Sequence, residues 1–170
     1  ATLVFGPETG ILTGVAYSIA MFIRRSSHPH IAELGCTVDT RGEWRDIERF
    51  PVARCILDAV VLRIDGSLYF ANMEFVAEHI RQRTRGRVGP RWVVLVMSGV
   101  NDMDAEAVLT TGRLLEEYSH SGVCFAFAET RAHIRDLMER ADWYGHHGEV
   151  VSHETVEHIV AKLGLELDTG

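Results

Sequence analysis

The amino-acid sequence predicts an α/β sandwich: a mostly parallel sheet with flanking helices, preceded by one apolar, transmembrane-like helix. Three observations predict it. Short runs rich in β-branched residues alternate with segments of helical period between residues 30 and 165. One of those runs, Trp92–Met97, is apolar at every position, as a central strand covered by helices on both faces should be. The composition also changes sharply near residue 24, where an uncharged stretch gives way to an ordinary mixture of apolar and charged residues.

The apolar helix comes first. Across residues 1–23 the only charge is Glu8, and Arg24-Arg25 then ends the run, as expected at a cytoplasmic membrane exit. From Thr9 to Ile23 a helix would span about 22 Å, against roughly 30 Å of hydrocarbon core. Ile11, Val15, Ile19 and Phe22, with Leu12, Ala16 and Ile23, leave no clearly polar face. A helix apolar all round must be buried in protein or lipid. Gly10, Gly14 and Ser18 form a small-residue stripe suited to close helix packing in a bilayer. Residues 1–25 therefore read as the end of a membrane-inserted domain, and residues 26–29 as a linker.

The elements of the sandwich follow in order. His30–Val38 reads as a strand, residues 39–51 as polar turn, and Ile56–Ile64 as a second strand. Phe75, Val76, His79 and Ile80 mark a helix over Asn72–Thr84, before the Trp92–Met97 strand. Asp104–His120 reads as the next helix, Val123–Ala128 as a buried strand, and Ile134, Leu137, Met138 and Ala141 as one face of another helix. A short strand at Glu149–Val151 precedes a last helix carrying Val156, Ile159, Val160 and Leu163, with Ser152 as its N-cap and Gly164 as its stop.

Composition removes several functions. The net charge of −7 argues against nucleic acid as a partner, because phosphate binding needs a basic face. Cys36, Cys55 and Cys124 are odd in number and widely spaced, and read as buried reduced thiols. His146, His147, His153 and His158 match no established zinc spacing, so neither a metal nor any other cofactor is expected. The chain carries no GxxxxGK[ST], GxGxxG or GxSxG, Ser98-Gly99 reads as a strand-end turn, and catalysis is not expected. The basic run Arg81, Arg83, Arg85, Arg87 and Arg91 suits a helix C-terminus. Its second reading is contact with membrane lipid of anionic headgroup.

Two stretches go beyond a generic α/β pattern: Leu62-Arg63-Ile64-Asp65-Gly66-Ser67-Leu68-Tyr69-Phe70-Ala71-Asn72, and Val94-Leu95-Val96-Met97-Ser98-Gly99-Val100-Asn101-Asp102-Met103-Asp104-Ala105. Together they resemble the STAS domain of sulfate-permease-type anion transporters. Glu8-Thr9-Gly10-Ile11-Leu12-Thr13-Gly14-Val15, with Arg24 beyond it, resembles the last membrane segment of the same family. The likeness implies a STAS domain over residues 30–165, joined to a transporter membrane domain. It also implies a multi-pass parent in the cell membrane with residues 26–170 cytoplasmic, a homodimer, and a cytoplasmic regulatory protein as partner. The parent would carry sulfate, bicarbonate or a dicarboxylate, and no substrate-binding residue would lie in this chain.

Asn101, Asp102, Asp104 and Glu106 are the candidate regulatory loop. Asp104 suits the N-cap of the helix that begins at Ala105, and acidic groups there complement the positive helix end. Related anti-sigma-factor antagonists carry a phosphorylatable Ser one or two positions after this Asp, whereas here the positions read Ala105-Glu106-Ala107. A kinase switch is therefore not carried over. Two alternatives stand beside the transporter reading: a soluble STAS partner-switching regulator of the anti-sigma-factor-antagonist type, and a small-molecule or nucleotide module using the loop after Met97.

Overall fold

Strand pairing fixes the architecture. In the computed structural model, which describes residues 7–37, 43–86, 89–147 and 151–167, five strands form one sheet. They are β1 (His30–Cys36), β2 (Trp44–Asp46), β3 (Ala59–Asp65), β4 (Trp92–Val96) and β5 (Cys124–Ala128), in the order β2-β1-β3-β4-β5. The helices are α1 (Pro7–Ser27), α2 (Phe70–Arg85), α3 (Ala105–Ser119), α4 (Ala132–Arg140), α5 (Trp143–His147) and α6 (Val156–Lys162).

The sheet is mixed rather than mostly parallel. β3, β4 and β5 run parallel, but β1 is antiparallel to both of its neighbours, with Ile31 opposite Ile64 and Leu34 opposite Asp46. The cause lies in the connections. Parallel neighbours need a crossover, and α2 and α3 supply it between β3, β4 and β5. No helix separates β1 from β3 among the described residues, so the chain returns antiparallel through β2 and a turn.

Alternation along the strands divides the core in two. On one face Val60, Leu62, Ile64, Val93, Leu95, Phe125 and Phe127 pack against α2, α3, α4 and Trp143 of α5. On the other, Leu34, Val61, Val94 and Val96 with the small Ala32, Ala59, Ala126 and Ala128 meet Val156, Ile159 and Val160 of α6. Leu163, Leu165 and Leu167 complete that second cover.

Several expectations need correcting. β2 forms inside the stretch read as turn, and Ile56 lies outside β3, forming a bridge with Leu167. The last helix is capped by Thr155, whose side chain accepts from the His158 amide. Ser152 instead bonds its hydroxyl within a turn, to the Glu154 carboxylate. Gly164 does end that helix, at φ +63°, which only glycine adopts without strain. Residues 149 and 150 of the expected short strand lie outside the described residues, while Val151 bridges Phe127 in parallel. Of the three free thiols only Cys36 is buried, and Cys124 at the mouth of β5 is exposed.

The largest correction concerns α1. It is a continuous helix of 21 residues that runs on through Ser27, so only His28 and Pro29 separate it from β1. Yet no helix among the described residues is long and apolar enough to cross a membrane. Glu8 and Arg24-Arg25 fall inside the helix, and Thr9, Thr13, Tyr17 and Ser18 dilute what lies between. Its apolar side chains stand outside the sandwich, with Ile11 67% and Phe22 72% exposed.

Candidate functional site

The loops after β3 and β4 meet above the carboxyl ends of the parallel strands, where ligands and partners of open α/β sheets usually sit. They are joined as a short parallel bridge. The Leu68 amide donates to the Asp102 carbonyl at 2.9 Å, and the Asp104 amide to the Leu68 carbonyl at 3.0 Å. Buried Val100 and Met103 anchor the second loop from below. Gly99 lets it pass against β3, because a Cβ there would lie 2.5 Å from the Ile64 carbonyl oxygen.

Asp104 caps α3 as the sequence predicted, and it does more. Its Oδ1 accepts from the Ala107 amide at 2.7 Å while its Oδ2 accepts from the Phe70 amide, the first of α2, at 3.0 Å. One carboxylate thus satisfies two helix N-termini, each of which leaves amides without intrahelical partners. Asn72 finishes the α2 start: its Oδ1 accepts from the Tyr69 amide, and its Nδ2 donates to the Ser67 carbonyl. It is 1% exposed. Sequence reasoning did not single out Gly99 or Asn72 as positioning residues. A glycine just past a buried strand, and an Asn at the third helical position, were the available signals.

The other site residues face outward. Asp102 is exposed, its Oδ1 accepting from the Met103 amide at 2.9 Å. The Asn101 carbonyl accepts from His133 Nε2–H at 2.8 Å, and Arg131 at the head of α4 donates to the Ser98 carbonyl at 3.3 Å. Glu106 pairs only loosely with Arg113, at 3.4 Å, both half-exposed or more. The structure therefore brings Asn101, Asp102, Asp104 and Glu106 onto one rim, beside exposed Phe70 and Leu109. Chemically the rim offers two outward carboxylates and an apolar margin for docking. Replacing Glu106 with alanine should leave the fold intact and cost about 0.5 kcal/mol, because an exposed first-turn carboxylate contributes no more. Global unfolding in a thermal melt of that variant would contradict this placement.

Electrostatics elsewhere are mostly self-contained. Burial would raise the Asp65 carboxyl, but the two hydrogen bonds from Arg63, at 2.8 and 2.9 Å, and the nearby His30 outweigh it and hold its pKa below the ordinary value. Arg81 is engaged by Glu117 at 3.0 Å and by Glu74, and Arg83 by Glu48 at 2.7 Å and the buried Glu33. Two members of the basic run are thus structural. Arg85 and Arg91 are exposed, and Arg87 lies outside the described residues. Among the described residues no group of three or more His, Cys, Asp and Glu is placed to hold a metal.

Comparison with known proteins places this geometry. The STAS domain family matches residues 50–147. The chain is 33% identical over 150 residues to sulfate transporter 4.1, chloroplastic, of Arabidopsis thaliana, covering 82% of this chain and 22% of that one. It therefore spans less than a quarter of that relative's length. Among solved structures it resembles the murine Slc26a9 anion transporter in the inward-facing state, at TM-score 0.81 and 20% identity over 92% of this chain and 25% of that one. It also resembles an anti-sigma-factor-antagonist candidate from Thermotoga maritima, at TM-score 0.55 and 16% identity over 69% of this chain and 98% of that one. At such identities the two structures speak for the fold alone. With its mixed sheet, its bridged loops and a family match over more than half its length, this chain belongs to the STAS domain family, in the form found in sulfate-permease-type transporters.

Proposed function

We propose that this chain is the C-terminal part of a multi-pass, secondary active transporter of inorganic anions, sulfate first among them. In this reading residues 1–25 end the membrane domain, 26–29 form the linker, and 30–165 form a cytoplasmic STAS domain. That domain helps to hold a homodimer and tunes transport by receiving a regulatory protein on the 101–106 rim. Exposed Arg85 and Arg91 are its candidate contacts with anionic lipid.

The observation that carries the reading is α1. Its apolar side chains are exposed on all sides, although each large one gains about 1.5–3 kcal/mol by leaving water. Such a helix calls for cover, and the neighbouring helices of a membrane domain supply it without requiring α1 to cross alone. The likeness to an anion transporter over 92% of the chain also reaches beyond the sandwich. Substrate would bind near the bilayer midplane, between helices that precede these residues. The partner-switching alternative is weaker because Ala105-Glu106-Ala107 offers no hydroxyl to phosphorylate.

Uptake of labelled sulfate into proteoliposomes tests the reading, using the longest open reading frame that contains these residues. The intact protein should take up sulfate, and the same protein ended after Ser27 should keep less than about a tenth of that rate, a loss of about 1.4 kcal/mol in transition-state terms. If the intact protein moves none of sulfate, bicarbonate and dicarboxylate, the transporter reading fails.

A further inference from the structure

The less covered face of the sheet carries a cleft. Strand alternation sends Leu62 and Ile64 to the side packed by four helices and turns Val61 and Arg63 to the other. There, between β2 and α6, lies an opening of about 380 Å³, within the usual size range of small-molecule sites. Its floor is apolar: buried Leu34 and Val96 from the strands, and buried Val156 from the start of α6.

Polar groups of two kinds surround that floor. Three are donors. The Trp44 indole Nε1–H is buried and has no acceptor among the described residues, a costly state for a polar atom. Arg63 turns Nε and Nη2 to Asp65, at 2.8 and 2.9 Å, which fixes its guanidinium and leaves Nη1 open. Half-buried Ser98 adds a hydroxyl. The acceptors are the carboxylates of Glu129 and Glu157, neither of them ion-paired among the described residues. The remaining charges cancel, because Arg45 pairs with Glu43 and Arg63 with Asp65.

Glu129 is held there at a backbone cost. Its φ is +56°, a conformation that residues with side chains rarely adopt. Its neighbours enforce it: the Glu129 amide donates to the Glu154 carbonyl and the Thr130 amide to the Ser152 carbonyl, both at 2.9 Å. Glycine would make this turn without strain. Nothing in the turn itself asks for a glutamate.

We propose that this cleft binds a small zwitterion of the amino-acid class. Its ammonium lies against Glu129 and Glu157, and its carboxylate takes the Arg63 Nη1–H, the Ser98 hydroxyl and the Trp44 indole N–H. Donors and acceptors lining one small space call for both charges on one ligand. A bare diamine would leave the indole unpaired, and a bare dicarboxylate would meet two carboxylates with no cation between. The apolar floor excludes water and strengthens every bond made above it. The site is a property of this chain and does not depend on which anion, if any, the parent carries.

The test uses the full chain in detergent micelles, with its indole nitrogens isotopically labelled and the Trp44 signal assigned by Trp44→Phe. The probe is a mixture of the standard amino acids at about 1 mM each, enough to saturate a micromolar site. The Trp44 indole N–H signal should move while those of Trp92 and Trp143 stay. Retesting the components singly then identifies the ligand. Putrescine and succinate, carrying one kind of charge each, should bind at least about tenfold more weakly than that amino acid. Glu129→Gly and Glu129→Gln should each weaken binding about tenfold or more. The glycine variant should hold or raise the thermal midpoint, since it relieves the positive φ. A Trp44 signal indifferent to the mixture would overturn the site. So would putrescine or succinate binding as tightly as the amino acid, undiminished binding in both Glu129 variants, or loss of the fold in both.

Discussion

Alanine at position 99 should destabilise the domain by about 3 kcal/mol, the upper range for forcing an extra methyl into packed surroundings. The reason is what lies opposite. A Cβ at Gly99 would stand 2.5 Å from the Ile64 carbonyl oxygen and 2.9 Å from the Asp65 Cα. These are backbone atoms of a central strand paired on both sides, so they cannot swing away as a side-chain tip would. The loop must lift instead, dragging Val100 and Met103 from the core and straining the bridge between Leu68 and Met103. A fall of roughly 10 °C in the thermal midpoint follows for a domain of this size. Should the variant lose less than about 1 kcal/mol, the loop seats by some other means than close approach at Gly99.

Removing the Asp104 carboxylate should cost about 2 kcal/mol, twice the usual loss for one N-cap, because the Asp104→Ala variant orphans the amides of Phe70 and Ala107 together. Asp104→Asn should recover about half, since an amide oxygen can serve one helix start but its NH2 cannot accept from the other. A backbone test separates the two roles. Phe70 is the first residue of α2, where proline is tolerated, and Tyr69 before it is extended at φ −133° and ψ 161°. Phe70→Pro deletes the donor facing Oδ2, so Asp104→Ala made on that background should cost only about 1 kcal/mol. Equal losses on both backgrounds, measured by urea midpoints, would mean that the contact with α2 contributes nothing.

How legible this was from the sequence varies with the range of the interaction. Asp104 as a helix cap could be read locally, since the motif is a short acidic residue followed by a helical period. The second bond of that same carboxylate could not, because Phe70 comes near only through the parallel pairing of β3 and β4. The central strands announced themselves by apolar runs. β2 did not, because Trp44-Arg45-Asp46 is too short to show a period, and α5 hid for the same reason. The antiparallel β1 was within reach. The sequence carries no helical pattern between the first two strands, and a connection without a crossover helix points to an antiparallel return. For α1, the apolar character belongs to the uncharged run from Thr9 to Ile23. The helix itself extends further at both ends and takes in Glu8 and Arg24-Arg25.

The unequal clothing of the sheet has a practical corollary. Among the described residues four helices shield one side, while the other relies mainly on the seven residues of α6 and the three leucines that trail it. The STAS family match ends at residue 147, before any of that second shield begins. A gene ended at residue 147 would strip Val61, Val94 and Val96 bare across two adjacent strands, an apolar surface of the kind that sticks to its own copies. The stretch that the family match covers and the stretch that closes both faces of the core are, in this chain, of different lengths.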